Sequence, residues 1–300
     1  MGVKFSGFVL ILAAAGAGAQ QLEPRLYSSA PVGMNFAIAG YTYSSGGLAM
    51  DPSLPVENAE LELNAPILAY ARSFGVRGQS AKLDAVLAGG CLAGSAESNG
   101  AVLTRDVCGM LDPALRVSVN LYGAPAMTLE EFRGYRQDLI VGASLQVVAP
   151  LGQYDPQRLV NLGTNRWTFR PEVGASKKLG SFTFEASLGA SLFTRNDDFF
   201  GGQTREQAPV IASQVHLVYE FRGGSWLALN ATYYEGGRTT VNGVKRNDEL
   251  GNSRLGGTFA LPIDRQNSLK FSASEGITVR HGEDFRTLAV AWQYRWGGGL

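Results

Sequence analysis

The chain has 300 residues, 26 basic and 26 acidic, with only 17% charged side chains, 38 glycines and 10% aromatics. That length fits one large domain or two ordinary ones, and the balanced charge leaves no electrostatic footprint for a nucleic-acid partner. Charge below the roughly 25% of soluble domains, with abundant glycine and aromatics, suits many turns and aromatic belts.

Residues 1–19 read as a removable secretory signal. Lys4 supplies the positive start, residues 8–15 an apolar core, and Ala17-Gly18-Ala19 a small-residue cleavage site before Gln20. This core is too short to cross the roughly 30 Å of a bilayer. The remaining 20–300 contain no apolar run of 18 residues, so a membrane crossing has to be made by strands. Mean hydropathy near zero agrees with that, because a β-barrel needs apolar residues only at alternate positions.

Alternation of period two begins at 34–43, where Phe36 and Ile38 alternate with Asn35, Ala37 and Ala39. After a polar loop it resumes over 60–74, with Leu61, Leu63, Ala65, Ile67 and Ala69 on one face and Glu60, Glu62 and Asn64 on the other. A third strand, 80–88, runs out into a Gly89-Gly90-Cys91 loop. Cys91 and Cys108 flank the Gly/Ser-rich segment 92–107. In an exported chain an even cysteine count favours a disulfide closing that loop, contributing about 3 kcal/mol, over two unpaired thiols. A fourth strand spans 114–122. Thr128-Leu129-Glu130-Glu131 is a capping box and predicts a short helix over 128–136. A fifth strand, 138–149, ends at Pro150.

Residues 161–195 give the clearest signal. Two alternating runs, 167–176 and 181–194, are hinged at Lys178-Leu179-Gly180. In the second, Phe182, Phe184, Ala186, Leu188, Ala190 and Leu192 share one face, and Ser181, Thr183, Glu185, Ser187, Gly189 and Ser191 the other. Runs of 10 to 14 residues are long for a soluble sheet and match the tilted strands a bilayer requires, apolar towards lipid and polar towards a lumen. Strands at 209–221, 226–234, 252–261, 268–279 and 286–296 bring the count to twelve, with ten or fourteen as alternatives. Asn242-Gly243 is a two-residue turn signal that would extend the ribbon of the ninth and tenth strands beyond the membrane.

Long connections follow odd strands and shorter ones follow even strands, the plan of long surface loops and short periplasmic turns. Two connections depart from it: the helix-bearing one after the fourth strand and the short loop 280–284. The expected fold is therefore all-β, an antiparallel transmembrane β-barrel of about 12 strands with a short periplasmic helix. A secreted β-sandwich would have shorter strands and more symmetric loops. Trp292, Tyr294 and Trp296 alternate on the last strand, where amphipathic rings favour a membrane interface. They resemble the aromatic signal that such barrels present to their assembly machinery, although Gly297-Gly298-Gly299-Leu300 follows where an aromatic usually ends the chain.

By parity the inward face carries Arg116, Arg170, Glu172, Glu185, His216, Glu220, Arg254, Lys270 and Arg295. These side chains either line a solute path and set its selectivity or form a salt-bridge network that fills the interior. An enzyme reading has little to stand on. His216 shares parity with Gln214 and Glu220, His281 lies in a charged tight loop, and neither neighbours a G-x-S-x-G motif. No HExxH, EF-hand or P-loop pattern occurs, and Asn196-Asp197-Asp198 has a spacing too nonspecific for calcium. No catalytic residue, metal or cofactor is expected.

Gly109-Met110-Leu111-Asp112-Pro113, Tyr122-Gly123-Ala124-Pro125, VGASLQVVAPLGQYD at 141–155, NLGTNRWTFRPEVG at 161–174 and NDDFFG at 196–201 resemble the outer-membrane transporter family named for the meta pathway of phenol degradation. The resemblance covers nearly all of 20–300. It implies an outer-membrane β-barrel acting as a channel for small, often aromatic or hydrophobic compounds, and no binding residue is carried over with it. The expected function is passive passage of small solutes gated by loops 152–165 and 199–207. The expected partners are outer-membrane lipid, the barrel-assembly machinery and the solute. A non-conducting structural or adhesive barrel is the alternative, and a lipid hydrolase is less favoured.

Overall fold

A computed structural model describes residues 23–49, 57–98 and 101–300, so the signal at 1–19 lies outside the described residues. The elements in chain order are β1 (Met34–Ala49), β2 (Glu57–Val76), β3 (Gln79–Ser98), β4 (Ala101–Met110), β5 (Ala114–Tyr122), α1 (Leu129–Gly134), β6 (Leu139–Val148), β7 (Thr168–Leu179) and β8 (Phe182–Phe193). They continue with β9 (Asn196–Phe199), β10 (Gln203–Gln207), β11 (Val210–Glu220), β12 (Trp226–Gly236), β13 (Thr239–Val241), β14 (Val244–Lys245), β15 (Leu250–Pro262), β16 (Asn267–Thr278) and β17 (Gly282–Gly297).

The wall runs β2-β1-β17-β16-β15-β12-β11-β8-β7-β6-β5-β3 and closes through β2 pairing with β3, every pair antiparallel. This is a closed antiparallel barrel of twelve strands. Closure removes the exposed sheet edge that lipid cannot hydrogen-bond. Alternation sets each strand's orientation: Phe184 and Leu188 of β8 are half-exposed outward, while Thr183 and Ser191 are buried inward. Aromatic rings border the wall. Trp292, Tyr294 and Trp296 stack in sequence at the periplasmic end, and Trp167 stacks on Phe169 at the other. This is the girdle arrangement of a membrane barrel.

Three local differences from the sequence reading have physical reasons. Residues 89–98 are strand and not loop, because β3 continues upward and pairs residue by residue with β4, whose Val102, Leu103 and Val107 favour a pleated ribbon. Cys91 and Cys108 are directly opposite in that register and form a disulfide, so the bond staples a ribbon. The Asn242-Gly243 turn is present, with both residues in the left-handed region at φ 47° and 78°, as a two-residue hairpin demands. Its hairpin does not prolong the β12–β15 pair, however. β13 pairs instead with β10, giving a separate four-stranded sheet in the order β14-β13-β10-β9. Helix α1 is shorter than the predicted span and carries both halves of its capping box: Glu131 accepts from the Thr128 N–H at 2.7 Å, and the Thr128 hydroxyl accepts from the Glu131 N–H at 3.3 Å. It lies at the end of the barrel that carries the short turns, the periplasmic end.

A larger difference concerns β1 and β2. Their apolar faces point inward. Phe36, Ile38, Leu63, Ala65 and Ile67 are all buried, and with Ala88, Leu92, Leu111 and Leu162 they form one apolar cluster. The outward positions of β2 hold Leu68 and Tyr70, so this strand is apolar on both faces through the membrane. Parity separates the two faces of a strand but does not say which faces lipid, and here both do apolar work.

Candidate functional site

The interior of the barrel is divided. One side is the apolar strip from β1, β2 and β3. The other, on β5 to β11, is polar and carries Arg116, Arg170, Glu172, Glu185, His216 and Glu220. Between them lies a segment with no strand periodicity, residues 23–33, in which Glu23, Arg25, Leu26, Tyr27, Ser28, Ser29 and Ala30 are all buried.

Its contacts are specific. Glu23 takes a two-point ion pair from Arg116, with one bond at 2.6 Å, and the Glu23 N–H donates to the Gln214 side chain at 3.3 Å. The Arg25 N–H donates to Glu185 at 2.6 Å, its guanidinium pairs with Glu220 at 3.0 Å, and it lies over the Trp226 ring at 5.4 Å. The Tyr27 hydroxyl donates to Glu172 at 3.0 Å, and the Lys82 ammonium donates to the Leu26 carbonyl at 3.3 Å. Buried charges need such partners. The wall is shaped for the segment as well: Gly142 and Gly174 are register partners on β6 and β7, and a Cβ on either would stand 2.2 or 2.4 Å from the Tyr27 ring. The segment then leaves through Val32, whose N–H donates to the Met127 carbonyl at 2.8 Å, and Gly33, whose N–H donates to Ser73 at 2.9 Å.

Arg116, Glu172, Glu185 and Glu220, four of the charges singled out by parity, therefore hold this segment. Arg170 donates to the Ser191 hydroxyl at 3.2 Å, and His216 Nδ1 meets the Asn230 side chain at 2.9 Å. Arg254 reaches the Thr287 hydroxyl at 3.3 Å, and Lys270 shares the inward parity of Ser268 and Ser272. Arg295 donates to the Arg265 carbonyl at 2.7 Å, at the periplasmic end. His281 meets the Glu249 carbonyl through Nδ1 at 2.9 Å. In the NDD motif Asn196 caps the turn, its side-chain oxygen accepting from the Asp198 N–H at 3.0 Å.

Glu23, Arg25 and Tyr27 were missed from sequence because they precede the first alternating run. Lying ahead of that run, they leave no periodic signal.

The extracellular mouth is built by loop 149–167 and the small sheet of β9, β10, β13 and β14. Asp112 accepts from the Gly152 N–H, the Thr164 N–H and the Thr164 hydroxyl, all within 2.8 Å, which folds the loop back over the wall and places Leu162 in the apolar strip. Arg166, which follows, turns inward and donates to the Gln207 side chain on β10.

A closed twelve-stranded wall, girdles of aromatics and a buried polar interior define a β-barrel of the bacterial outer membrane. Within that class, the chain belongs to the family described as "Putative MetA-pathway of phenol degradation", whose model matches residues 39–294. No curated protein sequence matches the chain. Among solved structures it is similar to the COG4313 outer membrane channel from Pseudomonas putida F1, at 21% identity and a TM-score of 0.79, covering 92% of this chain and 100% of that one. It is also similar to the transport unit of the autotransporter AIDA-I from Escherichia coli, at 11% identity and TM-score 0.54 over 94% of both chains. The translocator domain of the autotransporter NalP from Neisseria meningitidis matches at 11% identity and TM-score 0.53, over 90% of both. These likenesses concern the fold.

Proposed function

We propose that this barrel is a passive outer-membrane channel for small aromatic or hydrophobic solutes, with residues 23–33 closing its lumen in the state described. The observation that carries this reading is the inward apolar strip of Phe36, Ile38, Leu63, Ile67, Leu92 and Leu162. A lumen that only held water or packed salt bridges has no use for it, whereas an apolar solute gains roughly 25 cal/mol per Å² of surface it removes from water along such a strip. The family membership and the name of the Pseudomonas putida channel support the same reading. What fills the lumen is a segment tethered to β1 and bound to the wall by side-chain ion pairs and hydrogen bonds, outside the strand ladder that closes the barrel. No covalent step is involved, and His216 and His281 hold structure. A signal at 1–19 would deliver the chain to the periplasm, where the barrel-assembly machinery and outer-membrane lipid receive it.

The test is uptake by cells. In a strain whose outer membrane excludes phenol-sized aromatics, production of the protein raises the initial uptake rate of a labelled aromatic several-fold over an empty vector. Equal rates with the folded barrel present at the surface contradict the channel. A second reading, a non-conducting structural barrel, draws on one observation: many inward charges are paired. It predicts that removing residues 23–33 changes no permeability.

A further inference from the structure

Two arginines at the extracellular mouth form no ion pair with a carboxylate among the described residues, although Asp112 and Asp248 stand close enough to attract them. Arg166 is buried, and its Nη1 has no hydrogen-bond partner, while Nη2 is used on Gln207. Gln207 and Arg205 are two apart on β10 and so share one face of that strand, which brings the second guanidinium to the same place. The acids nearest in charge are committed elsewhere. Asp112 serves Gly152 and Thr164, and Asp248 accepts from the Thr239 N–H at 2.8 Å and from its hydroxyl. Burial first, then the like charge of Arg205, pull the Arg166 guanidinium down to about 9, and burial lowers Arg205 also. Two like charges held close with an N–H unsatisfied is a costly arrangement that an anion would offset.

We propose that Arg166 and Arg205 form an anion-recognition site above the lumen, and that the anion it takes is the carboxylate of a small aromatic acid. Guanidinium groups present paired N–H donors matched to a carboxylate. The apolar half of the ligand has its own surroundings. Phe193 lies 4.2 Å from the Arg166 guanidinium carbon and Phe199 5.1 Å from that of Arg205, and Phe193 leads into the apolar cluster of Val210, Ala212 and Tyr234. A bare inorganic anion would meet the charges and waste this wall, while a neutral hydrocarbon would leave the guanidinium groups unanswered. From Arg166 the same inward face of the strand leads down through Thr168 to Arg170, so the mouth site stands at the head of a basic column. The proposal deepens the channel reading and rests on it for the direction of travel, but the site itself is tested without transport.

Detergent-purified full-length barrel is dialysed to equilibrium against labelled benzoate. Saturable binding is expected, displaced by unlabelled benzoate and not by toluene, and weakened about tenfold or more in R166Q and in R205Q, the loss expected when a charged hydrogen-bond donor is removed. Each variant must keep the heat-dependent gel shift of a folded barrel. If R166Q does not fold, the half-buried Arg205, tested as R205Q, decides alone. Absence of saturable benzoate binding by the natural sequence, or binding untouched by R205Q, overturns the site. Acetate or inorganic phosphate binding as tightly as benzoate overturns the aromatic-acid assignment. Benzoate binding in a barrel that fails the uptake assay would contradict the channel and leave the site standing, and uptake without binding would do the reverse.

Discussion

At the scale of single residues, the contact that explains most is Tyr27 between Gly142 and Gly174. Its hydroxyl donates to Glu172, while the ring fits only because two opposed wall positions lack a Cβ. A methyl at Gly174 would stand 2.4 Å from a ring carbon, below any tolerated contact. We therefore expect Gly174→Ala to push residues 23–33 out of place and raise single-channel conductance in planar bilayers. Tyr27→Ala combined with it removes the ring that clashes and should bring the conductance back towards that of Tyr27→Ala alone. Conductance unchanged in Gly174→Ala would mean that the segment does not limit the opening. Arg116→Ala is the electrostatic counterpart. It strands the buried Glu23 carboxylate, a loss of about 3–5 kcal/mol for a pair of this kind, and should also raise conductance.

Among the elements, the β3–β4 ribbon and helix α1 carry predictions of their own. The Cys91–Cys108 bond joins residues opposite each other above the wall, so its reduction should speed amide exchange across 89–110 and leave exchange in β7 and β8 as it was. Faster exchange throughout the barrel would show that the staple supports more than its ribbon. In α1 the Glu131 carboxyl is held below the ordinary glutamate range by the Thr128 backbone and side-chain bonds. A depressed value in the folded state means that the capping contribution is present above the unfolded value and is lost as pH falls through the folded one. Carbon-detected titration should place Glu131 below the ordinary glutamate range, and T128A should remove the shift. These elements were unequally legible from sequence. β8 could be read to within a residue because polar and apolar side chains alternate without a break. The upper half of β3 could not, since glycine, alanine and serine at 89–96 look like a loop until a partner strand supplies the ladder. β1 and β2 showed their faces but not which one pointed inward, because Leu63 and Leu68 are equally apolar and only closure of the barrel assigns them.

For the whole molecule, twelve strands, alternating loop lengths and the inward charges on β5 to β11 followed from periodicity. The content of the lumen did not. Residues 23–33 have no repeat, and their meaning comes from long-range contacts such as Glu23 with Arg116 and Arg25 with Glu220. The same is true of Arg166 and Arg205, 39 positions apart in sequence and joined only when β10 folds over the mouth. The central proposal is a membrane-spanning lumen closed by residues 23–33. The most direct measurement is ion conductance through single barrels in a planar bilayer, comparing the full chain with one lacking residues 23–32. A large increase in open-state conductance on deletion is the predicted result. A folded, inserted deletion barrel that conducts no better than the full chain would contradict it.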